Sequence, residues 1–337
     1  MPELVVTRHN PLVDPLLHVW GWQIPLYLFL GGWVAGMMII AGVVLYFGRH
    51  RERNCVCGVL PSLSFALLSL GMLALFLDLE HKRYVWRLYT TFRVTSPMSW
   101  GAWILILVYP ALAAAWVVRP PGLLRDLAVA GRYVPAGSGF GRIVRAVGSG
   151  LGRVAALSDR VGASRTAIWW IAAANIVLGI ALGIYTGVLL SGLGARPFWS
   201  SALLGPLFLL SGLSSAAAFT HLVARDPVER VLLAKTDNVF LGLELFTILL
   251  FLVGLLSASQ AHADAARLVL GGPFTAVFWV GVVGLGIVFP LAIQSLAVTH
   301  RIVHTPLAPL FVMAGGLLLR FVFVVAGQAS HWPRGAW

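Results

Sequence analysis

Charge is what this chain most lacks. Only 11% of its 337 residues are Asp, Glu, Lys or Arg, where a soluble domain carries about a quarter. Acids are rarer still, with twelve Asp and Glu against twenty-four Lys and Arg. Cysteine is confined to Cys55 and Cys57, spaced C-x-C. Two thiols make no metal site without further ligands, and on the reducing side of a membrane they are expected as free thiols. Histidine pairs midway along two apolar runs are missing too, although a membrane haem usually takes such a pair as axial ligands. His221, His300 and His304 fall near run ends on one side, His9, His18, His81, His262 and His331 on the other, and His50 in a loop. Bound haem is therefore not expected. The N-terminus has no basic start leading straight into a short apolar core, so no signal peptide is read.

What is present is apolar. Hydrophobic residues make up 59% of the chain and the mean hydropathy is +0.89. Runs of roughly 20 apolar residues can cross a bilayer as helices. Eight such runs stand out: Trp22–Phe47, Val59–Asp78, Gly101–Val118, Thr166–Ser191, Trp199–Leu222, Asn238–Ala258, Pro273–Val298 and Leu307–Gly327. The expected fold is an all-α membrane protein with eight transmembrane helices. A net charge of +12 then reflects loop topology and contact with anionic lipid, not nucleic acid.

Loop charge sets the expected orientation. With the N-terminus outside, the inner loops hold fifteen Lys and Arg and the outer segments eight. Four of those eight, Lys82, Arg83, Arg87 and Arg93, lie in the single connector after Asp78. N-out and C-out is the better topology. The one long loop, 119–165, is rich in Gly and Arg, and its apolar residues near helical spacing predict a short amphipathic stretch on the inner leaflet. Pro25, Gly31 and Ala35 in the first run match Pro206, Gly212 and Ala216 in the fifth. That repeat suits two tandem four-helix bundles, spanning 1–192 and 193–337. Small residues such as Gly36, Gly212 and Ala216 are expected at close helix contacts.

Ionisable groups inside hydrocarbon are costly and need a reason. Asp78, Glu244 and Arg320 qualify. Topology puts Asp78 at the outer surface, and it separates Glu244 from Arg320 by about 10 Å in depth, leaving a direct ion pair open. At the outer end of the first bundle His18, Gln23, Asp78, Tyr185 and Thr186 reach similar depth, ringed by Trp20, Trp22, Trp100 and Trp103. This is the expected ligand or proton site.

These motifs resemble the NrfD family, the integral membrane subunits of polysulfide-reductase-type complexes (the NrfD/PsrC type). The likeness rests on an ordered set: Ile24-Pro25-Leu26-Tyr27-Leu28-Phe29-Leu30-Gly31-Gly32, Leu77-Asp78-Leu79 with its basic segment, and Ser96-Pro97-Met98-Ser99-Trp100-Gly101-Ala102-Trp103. Tyr185-Thr186-Gly187, Leu207-Phe208-Leu209-Leu210-Ser211-Gly212, Glu244 and Leu319-Arg320 continue it. The resemblance implies tandem bundles with both termini outside, a quinone site (menaquinone or ubiquinone) near the outer surface of the first bundle, and no haem. It also implies an extracytoplasmic iron–sulfur partner leading to a catalytic subunit, either a molybdenum enzyme or a multihaem cytochrome. Some relatives place a quinone-binding His or Asn at the start of the first helix. Here His18 and Gln23 stand nearest, displaced from Gly31-Gly32.

The chain is thus expected to be the quinone-interacting subunit of a respiratory oxidoreductase in a prokaryotic inner membrane. Asp78 exchanges the quinone proton, while His18, Gln23, Tyr185 or Thr186 hold the quinone. Lys82, Arg83 and Arg87 meet the partner through complementary charge. Two alternatives are a proton path through Asp78, Glu244 and Arg320, and a plain membrane anchor.

Overall fold

In the computed structural model, the described residues are 20–49, 55–120, 126, 139–192, 196–224, 226–299 and 305–332. Their regular elements are all helices, and no strand occurs among them. Among the described residues, eight helices are long and apolar enough to cross a membrane. In chain order the helices are α1 (Gln23–Tyr46), α2 (Leu60–Asp78), the short α3 (Arg87–Thr90), α4 (Pro97–Val118), α5 (Gly139–Ala163) and α6 (Arg165–Ser191). There follow α7 (Leu204–Val223), α8 (Pro227–Ala258), the short α9 (Gln260–Arg267), α10 (Val277–Val298) and α11 (Leu307–Ala329). The first twelve residues of α10 are wound as a π-helix, and it continues as an α-helix from Phe289.

α1 and α7 are the most buried spans. Neither has one polar and one apolar side, as suits a helix wrapped by other helices. They cross where their small residues coincide. A methyl group on Gly36 would stand 2.5 Å from Gly212 O and 2.6 Å from Ala216 Cβ. Only glycine lets the two backbones approach this closely, which is how helices associate where lipid offers no hydrophobic driving force. The matching stretches of the first and fifth apolar runs are therefore crossing partners.

The largest aromatic cluster gathers around Phe323 of α11. Phe198, Phe208, Phe251 and Phe278 come within 5.2–6.4 Å of its ring, centroid to centroid. Trp199, in the turn before α7, donates its indole N–H to Phe323 O at 2.8 Å and stacks on Trp20 at 5.2 Å.

Three sequence expectations change. Hydropathy starts the sixth apolar run at Asn238, but α8 starts at Pro227. Asp226 caps it by accepting from Val228 N at 3.1 Å, and proline occupies the first helical position, a strong start signal that outweighs the polarity of the segment. Loop 119–165 holds not a short stretch but a 25-residue amphipathic helix, α5. Ser158 ties it down by donating to Val118 O at 3.1 Å. Finally, Cys55 is disulfide-bonded rather than free.

Candidate functional site

Two ends of the molecule can be told apart without reference to a membrane. One carries the connector 79–96, and the other carries α5 and the arginine-rich loop. At the connector end, α1, α2 and α6 bring their polar residues together. Tyr27 of α1 is buried against α2, its ring 3.7 Å from where a Gly71 side chain would begin. Its electrostatic neighbours are Tyr185 of α6 and Tyr89 of the connector. Tyr185 is buried with its ring filling the space that a side chain at Gly101 of α4 would need. Neither the Tyr27 nor the Tyr185 hydroxyl hydrogen-bonds to a described residue. Burial, with Tyr109 adding to it, holds the Tyr89 phenol above its ordinary range, so it stays a proton donor at neutral pH.

The residues read from sequence fall around this phenol cluster. Gln23 opens α1; its Oε1 lies over Gly21, buried and without a hydrogen-bond partner. Asp78 ends α2 half-buried, on the same helix stripe as the buried Gly71 and Ala74. Seven residues along a helix return to the same face about 10 Å further on. Asp78 therefore faces the α1 side beyond Tyr27, level with the opening of α1. Thr186 is fully buried, but its hydroxyl donates to Gly183 O at 2.7 Å and its methyl packs toward Gly31. His18 lies outside the described residues. Sequence reasoning did not single out Tyr27 or Tyr89, although Tyr27 stands inside the Ile24–Gly32 motif.

The connector folds back over the start of α4. Ser99 Oγ accepts from Arg93 N at 2.9 Å and donates to Thr91 O at 3.2 Å; Trp100 donates its indole N–H to Val94 O at 2.8 Å. This is what the Ser96–Trp103 motif does: its side chains clip the connector to the helix that follows it. Phe92 then sets its edge against Trp100 and Trp103. A cavity of about 380 Å³ opens here, lined among others by His81, Tyr84, Arg87 and Ser99. The Arg87 guanidinium lies over Tyr84 at 4.7 Å and Trp86 at 5.6 Å. Lys82 and Arg83, in a 3₁₀ turn, are exposed.

A second polar group crosses α7, α8, α10 and α11. Arg320 is fully buried. It donates to Ser211 Oγ, to Phe208 O at 2.8 Å and to Gly316 O at 3.3 Å, with its guanidinium 4.6 Å above the Phe208 ring. Ser211 and the Arg320 guanidinium are electrostatic neighbours of the Glu244 carboxyl. Among the described residues no ion pair joins Glu244 to Arg320, and Ser211, bonded to Arg320, is a neighbour of both. Asp237, read from sequence as part of a loop, is buried two turns from Glu244 on α8. It accepts from Ser214 Oγ at 2.6 Å and from Gln294 Nε2 at 2.8 Å. The Asp226-Pro227 start signal is the clue that places it in the helix. His221 is buried in the last turn of α7, toward the arginine-rich end, while His300 and His304 lie outside the described residues. No three His, Cys, Asp or Glu side chains among the described residues are grouped to hold a metal.

Eight apolar spans, a phenol cluster at one end and a buried arginine–serine–carboxyl group between the later helices define a polytopic helical membrane protein with polar sites inside its helix bundle. Comparison with known proteins names its kind. The family described as Polysulphide reductase, NrfD, matches residues 6–331, and the chain belongs to that family. It is 30% identical to Protein NrfD of Escherichia coli, over 93% of this chain and 96% of that protein. It is 26% identical to a polysulfide reductase chain of Wolinella succinogenes, over 92% of this chain and 94% of that protein. A selenate reductase subunit of Mesobacillus selenatarsenatis is 23% identical, over 92% of this chain and 74% of that protein.

Proposed function

We propose that this chain is the quinone-interacting membrane subunit of a respiratory oxidoreductase complex, passing electrons and protons between membrane quinone and an extracytoplasmic iron–sulfur partner. Relatives named as parts of polysulfide and selenate reductases support the complex. The single observation that carries the quinone site is the burial of Tyr27 and Tyr185 as electrostatic neighbours, with Tyr89, at the end of α1 where Gln23 Oε1 has no hydrogen-bond partner. A quinone carbonyl needs a donor and a quinol hydroxyl an acceptor. The cluster offers both, so the residues present fit the group.

When bound, a quinone supplies the coupled electron and proton chemistry. Tyr185 and Tyr27 donate hydrogen bonds to its oxygens, Gln23 Oε1 accepts one, and Gly101 leaves the Tyr185 ring its place. Asp78 stands between this cluster and the aqueous surface, where a half-buried carboxyl can take a proton from the site or return one. His18 and Thr186 complete the proposed quinone set, Thr186 by fixing the α1–α6 contact. Lys82, Arg83 and Arg87 present positive charge to the partner, with Arg87 held by its aromatic neighbours. The partner leads in turn to a molybdenum or multihaem catalytic subunit. The charge rule puts the connector end and both termini outside the cytoplasmic membrane, with the two four-helix halves in tandem.

Replacing Asp78 by Asn in the purified complex tests the reading. Quinol-dependent electron transfer is expected to fall at least tenfold while quinone binding, read by quenching of tryptophan fluorescence, persists. Unchanged turnover would remove Asp78 from the mechanism.

The grouping of Arg320, Ser211 and Glu244 favours a second, compatible reading. Asp237, Glu244 and Arg320 form a proton-handling column that runs from the arginine-rich end toward the middle of the membrane. Loss of proton uptake in Glu244→Gln, with quinone binding intact, is its expected sign.

A further inference from the structure

At the end opposite the phenol cluster, α1 stops and α6 starts around a second cavity, of about 720 Å³. Leu45, Tyr46, Phe47, Ile168 and Trp169 line it, together with a single cation, Arg165. Gly48, at φ +74°, follows Phe47 and also lines the cavity. Arg165 is exposed, and no carboxylate pairs with it among the described residues. It begins α6, whose N-terminal end carries the positive pole of the helix dipole.

The surroundings divide into an apolar flank and a basic rim. Tyr46, Phe47, Trp169 and Trp170 are 45–72% exposed. On the other side α5 is fixed beside the cavity by Ser158 and by Val161, which packs on the Leu45–Val118–Ile168 cluster. Its Arg153 and Arg160, seven residues apart on one helix face, are both exposed. This is also the end with the arginine-rich loop, so the charge rule puts it at the cytoplasmic leaflet, where anionic lipids are met.

We propose that this cavity is a binding site for one anionic glycerophospholipid. The headgroup phosphate pairs with Arg165 at the positive end of α6, and an acyl chain lies along Phe47, Ile168 and Trp169. A free phosphate leaves the apolar walls uncovered, and a zwitterionic lipid brings its own cation to compete with Arg165. The rim arginines of α5 add a field that draws negative headgroups to the opening. The site is separate from the quinone reading and does not depend on it.

The full chain, purified with its partners and delipidated in detergent, is titrated with phosphatidylglycerol or phosphatidylethanolamine bearing the same acyl chains. Bound lipid is read by native mass spectrometry. Wild type is expected to retain phosphatidylglycerol in preference to phosphatidylethanolamine. Arg165→Gln is expected to weaken that retention about tenfold, the worth of one charge-assisted contact. Phe47→Ala, at an exposed position that spares the fold, is expected to weaken retention of both lipids, and Arg267→Gln at the opposite end to change nothing. Equal retention of the two lipids by wild type overturns the proposal, as does wild-type retention in both the Arg165 and Phe47 variants. Displacement by inorganic phosphate assigns the cavity to a free anion and also overturns it. Circular dichroism of each variant shows that a loss is not unfolding.

Discussion

Arg320→Met tests whether the buried arginine and the Glu244 carboxyl act as one unit. Methionine replaces the aliphatic stem of the arginine without a charge to desolvate, but it is shorter and leaves the place of the guanidinium beside Phe208 and Gly316 empty. What is lost is a set of charge-assisted hydrogen bonds, to Ser211 Oγ and to Phe208 O at 2.8 Å. Each is worth about 1.5–3 kcal/mol. Removing the desolvation cost of the guanidinium offsets part of this, and a net loss of about 3 kcal/mol is expected. Glu244→Gln keeps its volume and its capacity to hydrogen-bond, so a loss of about 1 kcal/mol is expected. Because Ser211 neighbours both residues, the double variant is expected to lose less than the sum of the singles, by about 1–2 kcal/mol. Repeating the cycle on Ser211→Ala removes the shared neighbour, and the coupling is expected to shrink toward zero. Stability is read from thermal unfolding of the detergent-solubilised chain by circular dichroism. Singles that add within about 0.5 kcal/mol refute the coupling, as does an Arg320→Met variant as stable as wild type.

Three further outcomes are expected. Gly101→Ala puts a methyl where the Tyr185 ring lies; quinone affinity is expected to drop several-fold with little change in melting temperature, read by fluorescence quenching alongside unfolding. Ser99→Ala removes both hydrogen bonds that clip the connector to α4, at about 1–2 kcal/mol locally. Hydrogen exchange should rise across residues 91–96 and not in α4 itself. Phe323→Ala empties the centre of the aromatic cluster at about 3–5 kcal/mol, and the purified protein is expected to melt well below wild type.

Much of the architecture was legible because lipid imposes it. Each crossing needs some 20 apolar residues with every backbone group bonded internally, and that demand is written in composition. Small residues at the α1–α7 crossing were legible for the same reason, since nothing larger permits the contact. The site was legible only in part. Gln23, Asp78 and Tyr185 stood out as polar groups at one depth, but Tyr27 hid in an otherwise apolar helix. Asp237 reads as a loop residue because hydropathy falls before Asn238, whereas an N-cap and a proline extend the helix past that fall. Thr186 illustrates the limit of counting polar residues by depth: its hydroxyl is held by its own helix at Gly183 O. The Cys55 disulfide escaped the sequence reading because compartment, not geometry, decided the expectation.

The number of crossings, the family and the ends at which polar chemistry gathers follow from local composition and short ordered motifs, so the amino-acid order is enough to give them. Which polar groups meet is a property of the packed helices. Helix rotation and crossing set whether a side chain faces a neighbour or lipid, and neither can be read from depth along one helix. That is why Ser211, a small hydroxyl in an apolar run, proves to be the partner of Arg320.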